Sequence, residues 1–62
     1  MNHRELAETA AGIVRDFETG ADGERVKTAM FMTACQALHE GRPLHTVRTM
    51  AQKAGERARC SR

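Results

Sequence analysis

The run from Glu24 to Glu40, ERVKTAMFMTACQALHE, leaves this chain little choice but an all-helical fold. At 100° per residue, Val26, Met30, Phe31, Ala34, Ala37 and Leu38 fall on one broad face, with Cys35 at its margin. Thr28, Gln36, His39 and Glu40 fall on the other side. No Gly or Pro interrupts the run, and Ala, Met, Leu, Lys, Arg and Glu favour helix. The spacing predicts a helix over 23–40. Asp22 is the expected N-cap, because its carboxylate can accept a bond from a free N–H of the first turn. Gly41 stops the helix by taking a left-handed conformation without steric cost. Pro43 forbids continuation and suits the first turn of a new helix. The apolar face is wider than a single neighbour needs, so two elements are expected to pack on it.

The flanks supply those elements. Asn2 and Glu5 have the spacing of a capping box. Leu6, Ala10, Ile13, Val14 and Phe17 then recur at helical spacing, with Glu5, Glu8, Arg15 and Asp16 opposite, which predicts a helix over 3–18. The loop Thr19-Gly20-Ala21-Asp22-Gly23 is short enough to make the first two helices an antiparallel hairpin. Beyond Pro43, Leu44, Val47, Ala51, Ala54 and Ala58 form a narrow, alanine-rich seam that predicts a third helix over 43–59. This helix packs across the hairpin or reaches a second chain. Gly55 costs about 1 kcal/mol within it, so fraying is expected from there onward, and a disordered end over Arg57 to Arg62.

Sixty-two residues make one small domain, 1–62. A chain of this size buries only about 60% of its unfolded surface. Its few large apolar side chains barely offset the ordering of the backbone, so a homodimer or a protein partner is expected. No run approaches the roughly 18 apolar residues of a membrane span, and the N-terminus MNHRELAE lacks the apolar core of a signal peptide. The expectation is a cytoplasmic protein without membrane contact, with Cys35 and Cys60 as free thiols. Charge is lopsided: residues 1–31 sum to −2 and residues 32–62 to +4. A basic C-terminal third can meet an acidic protein, nucleic acid phosphates, or only solvent.

Little in the chain can do chemistry. Cys35 and His39 lie four apart on the central helix, a common half-site for zinc, and His45 and Cys60 follow. The second pair lacks the tight spacing of a zinc knuckle or finger, so a packed Cys and a surface His is the reading kept. No nucleophilic triad, phosphate-cradling glycine loop or paired acid–base carboxylate is present in the sequence, and Glu5, Glu8 and Asp16 fall on the wet face of the first helix. No enzyme activity, metal or cofactor is expected.

Ala37, Gly41, Thr46, Val47 and Met50 have the spacing of a helix-turn-helix: a small residue, a turn glycine four on, then apolar anchors of the second helix. Over residues 36–50 the chain resembles that motif, and His45-Thr46-Val47-Arg48 looks like the opening of a bacterial repressor's recognition helix. The resemblance implies duplex DNA as partner, with residues 43–59 in the groove and His45, Arg48, Gln52 and Arg59 as contacts. Gln36, Glu40 and Arg42 stand where the motif is usually apolar, which ranks this reading second.

The first reading is a non-catalytic helical regulator or inhibitor that acts by protein–protein interaction, similar in kind to small bacterial or phage-encoded modulators. Its candidate contacts are Met32, on the polar side of the central helix, and the cations Arg42, Arg48, Lys53 and Arg57.

Overall fold

The computed structural model describes residues 1–60 of the chain, and among them it forms α1 (His3–Phe17), α2 (Glu24–His39) and α3 (Leu44–Cys60), with no strand. Each boundary has a local cause. The Asn2 side chain caps α1 by accepting the Glu5 N–H at 2.8 Å. The return arm of the expected capping box is displaced: Asn2 Nδ2 donates to Glu5 Oε1 at 3.4 Å, so the carboxylate meets the side-chain amide. Helix α1 ends one residue before the expected Glu18, which turns extended while its N–H still donates to Val14 O at 2.8 Å.

The end of α2 is a complete Schellman motif. Gly41 sits at φ 81°, its N–H donates to Leu38 O at 3.0 Å, and the Arg42 N–H donates to Ala37 O at 3.1 Å. An L side chain at that φ costs about 1–2 kcal/mol, so glycine is the natural occupant. Pro43 then offers its carbonyl to the N–H groups of Thr46 and Val47, both at 3.0 Å, and α3 starts at Leu44.

The start of α2 corrects an expectation. Its N-cap is Gly23, which supplies no side-chain bond, and not Asp22. Asp22 turns back into the loop, where Oδ2 accepts the Thr19 N–H at 2.8 Å and its own N–H donates to Thr19 O at 3.1 Å. A carboxylate at that position can cap the helix or close the loop, and a cation arriving from α3 decides the matter.

Helix α2 lies against both other helices, and α3 folds back onto the hairpin within the same chain. The radius of gyration is 10.8 Å, close to the roughly 10.6 Å expected of a compact chain this long. The core is Ala10, Ile13 and Val14 from α1, Val26, Met30, Ala34 and Ala37 from α2, and Val47 and Ala51 from α3. Among the described residues no polar or charged residue is buried as a whole, although the side chain of Asp22 is almost entirely covered. Phe17, Phe31, Cys35, Leu38, Met50 and Ala58 pack around this core, half-buried.

The third helix departs from expectation at both ends. Leu44, placed in the seam, is 53% exposed. Helix α1 meets α3 through its C-terminal end, around Asp16 and Phe17, and leaves Leu44 uncovered. At the other end, α3 continues without a break through Gly55 to Cys60, against the expected fraying; the rest of the expected disordered end lies outside the described residues. Gly55 is buried because α3 crosses α2 there at close range. A Cβ on it would stand 2.8 Å from Met30 Sδ and 3.0 Å from Met30 Cγ, and Met30 has no exposed surface. The glycine that weakens an isolated helix is what lets the two helices touch.

Candidate interaction surface

Helix α3 carries four cations among the described residues, and tertiary structure sorts them into two pairs. Arg48 Nη1 meets Asp16 Oδ2 at 2.7 Å, and its guanidinium lies over the Phe17 ring, 5.1 Å from the centroid. Asp16, on the wet face of α1 as expected, is at the same time tied to α3. Arg59 grips Asp22 with both arms, Nε to Oδ1 and Nη2 to Oδ2, each at 2.9 Å. The same Nη2 donates to Phe17 O at 3.0 Å, satisfying a carbonyl at the end of α1. One arginine therefore joins the last turn of α1, the loop and the last turn of α3. The Asp22 side chain is 4% exposed. The Arg59 fork first, then the Thr19 N–H, hold its carboxyl well below the usual range, against the opposing effect of desolvation. Asp22 in turn raises Arg59.

Arg42, another candidate contact, bends back to Glu40, Nε to Oε1 at 2.9 Å, and that guanidinium holds Glu40 below its ordinary value. Of the cations singled out in the sequence, Lys53 and Arg57 remain. Among the described residues neither has a carboxylate within ion-pair distance, and both are exposed. They stand one turn apart beside a shallow hollow of about 180 Å³, lined by Thr33 of α2 and by Met50, Lys53, Ala54 and Arg57 of α3. Met32, next to Thr33 on α2, is 63% exposed. The hollow has room for an aliphatic side chain, has a methionine on its wall, and is positive at its edge.

A second groove, of about 380 Å³, runs between α1 and α2, where Ala11, Val14 and Phe31 are rimmed by Arg15, Glu18, Glu24 and Lys27. Its rim is balanced, and Lys27 Nζ lies 3.9 Å from Glu18 Oε2. A third hollow lies where the loop meets the end of α3, and the Asp22–Arg59 pair forms part of its wall. There Arg25 Nη2 donates to Ala58 O at 3.4 Å, placing a cation against the C-terminal carbonyls of α3.

Of the DNA-reading set, Arg48 and Arg59 are held by Asp16 and Asp22, while His45 and Gln52 are exposed. Both cysteines are free: Cys35 is half-buried, which pushes its thiol up, and Cys60 is exposed. Among the described residues no three His, Cys, Asp or Glu side chains converge as a metal site requires, and no helix is long and apolar enough to cross a membrane. No protein-family model matches the chain, and no curated protein or solved structure matches it.

Proposed function

We propose that this protein is a non-catalytic helical interaction protein, a regulator or inhibitor that works by docking the α2–α3 face on a partner. The observation that carries the reading is the pairing of Lys53 and Arg57, free of carboxylates among the described residues, with the methionine-lined hollow between them and α2. Methionine suits such a surface, because its unbranched thioether adapts to irregular apolar contacts. The DNA-reading alternative has to break the Asp16–Arg48 and Asp22–Arg59 pairs before either arginine reaches a base edge.

Photo-crosslinking tests the reading. A benzophenone side chain placed at Met32 or at Met50, in cells that make the protein, should trap one discrete protein. The same group placed at Glu8, on the far side of α1, should not. Equal trapping from all three positions, or from none, removes the reading.

A second reading, a homodimer, is favoured by the groove between α1 and α2. Its rim of Arg15, Glu18, Glu24 and Lys27 holds two charges of each sign, so a rotated copy of the same face can pair with it. Light scattering behind size exclusion should then return twice 6.9 kDa, and Phe31→Glu should return the single mass. A wild-type protein of single mass at micromolar concentration ends the dimer reading.

A further inference from the structure

We infer that the α2–α3 hollow is the seat of an acidic amphipathic helix from another protein, whose carboxylates meet Lys53 and Arg57 while its apolar stripe lies on Met50. The inference rests on the interaction reading above and gives the partner its chemistry.

Charge sets the sign of the partner. Arg4, Lys27, Arg42, Arg48 and Arg59 each have a carboxylate within 4.0 Å. Lys53 and Arg57 have none among the described residues, and no acidic residue lines their hollow. A partner that brings carboxylates completes two cations that the fold leaves uncompensated.

Shape sets the form of the partner. The described residues contain no strand, so there is no edge for an added strand to join. The hollow contains no aromatic ring on which a proline-rich segment or a nucleobase could stack. Phe17 lies beneath Arg48, and Phe31 lines the other groove. Two packed helices leave a furrow between them, and a third helix is the element whose side-chain ridges fit a furrow of that kind. Lys53 and Arg57 are four residues apart on α3, so the matching carboxylates belong at i and i+4 of the incoming helix, about 6 Å apart, with Leu, Ile or Met on the adjoining stripe.

A second copy of this chain does not meet the requirement. On α1, the Glu5 carboxylate takes the Asn2 amide and Glu8 is paired with Arg4. On α2 and α3, Glu24 and Glu56 are the only acidic residues between the helix ends. No helix here offers two unpaired carboxylates one turn apart.

A library of helix-favouring 16-residue peptides displayed on yeast and sorted with the labelled full-length protein tests the inference. The expected outcome is enrichment of peptides with Glu or Asp pairs at i, i+4 beside an apolar stripe. Their binding should weaken as salt rises and fall about tenfold or more with Lys53→Glu/Arg57→Glu. Sorting with that double variant, checked for helix content by circular dichroism, should enrich Lys and Arg pairs in place of the acids. Enriched peptides that lack acidic pairs, but are lost with Met50→Lys, would overturn the acidic partner and keep the interaction face. Enriched peptides indifferent to both variants, or no enrichment, overturn the face as well. A random duplex DNA followed by anisotropy is the remaining arm. Duplex binding that disappears with Lys53→Glu/Arg57→Glu would assign the two cations to phosphates and overturn the inference.

Discussion

Arg48 and Arg59 lie three turns apart on one side of α3, while Lys53 and Arg57 lie one turn apart on another. Both pairs belong to the same helix, and their chemistry is similar, yet the fold uses them in opposite ways. The first pair cements: each guanidinium meets an aspartate of the hairpin, and each also touches Phe17, one over the ring and one at the carbonyl. The second pair stands beside an open hollow. A cation on a helix thus has no fixed meaning; what lies across from it decides whether it holds the fold or faces outward.

Four perturbations break or sharpen that contrast. The largest effect belongs to Gly55, whose contact with Met30 sets how closely α3 approaches and therefore where both pairs sit. Gly55→Leu should destabilise by about 3 kcal/mol in urea unfolding, since overpacking a filled core has no cheap escape. Gly55→Ala should also lose stability despite the helix propensity of alanine. Combining it with Met30→Val should cost less than the sum of the two single changes, because the space removed and the space added coincide.

Arg48→Ala comes next. It deletes a half-exposed ion pair and a contact with an aromatic face, together about 1 kcal/mol. The urea midpoint should fall, and the folded structure seen by circular dichroism should persist.

Asp22→Asn probes the Arg59 clamp through pH. The folded-state carboxyl lies below its ordinary value of 3.8, so its stabilisation is present above that value. As pH falls through and below 3.8, the unfolded chain takes up a proton that the folded chain refuses, and the stabilisation is lost as the folded value is approached. Melting temperatures of the wild type should therefore exceed those of Asp22→Asn at neutral pH, and the gap should narrow on going from pH 5 to pH 2. A gap that does not change with pH would show that the clamp contributes nothing through its charge.

The smallest effect on stability is expected from Lys53→Gln/Arg57→Gln, within about 0.5 kcal/mol of wild type, as for surface changes without a partner. A larger loss would place these side chains in the cement and dissolve the contrast.

The lopsided charge of the sequence was legible, but not its use. The acidic first half and basic second half invite an outside partner, yet Asp16 with Arg48 and Asp22 with Arg59 neutralise part of that asymmetry inside the chain. One signal was available. Arg48 and Arg59 share a helix face eleven residues apart, and two aspartates six residues apart stand near the end of the first helix. Nothing in the sequence says which carboxylate that face meets. Met32, Lys53 and Arg57 were nameable as candidate contacts from helix position and charge, and the fold leaves all three exposed; that Arg42 and Arg48 are paired depends on Glu40 and Asp16.

The sequence by itself determined the three helices, the start of α1 and the break between α2 and α3. Apolar spacing, the Asn2 cap, the left-handed Gly41 and the Pro43 break all act within a few residues, through hydrogen bonds and sterics that need no third element. Only the tertiary structure decided that Asp22 closes a loop instead of capping a helix, that Leu44 is left uncovered, and that Gly55 is a contact and not a weak point. It also decided which two of the four cations on α3 face outward. Those outcomes depend on groups tens of residues away in sequence, brought within bonding distance by the angle at which helices cross, and periodicity along one helix carries no record of that angle.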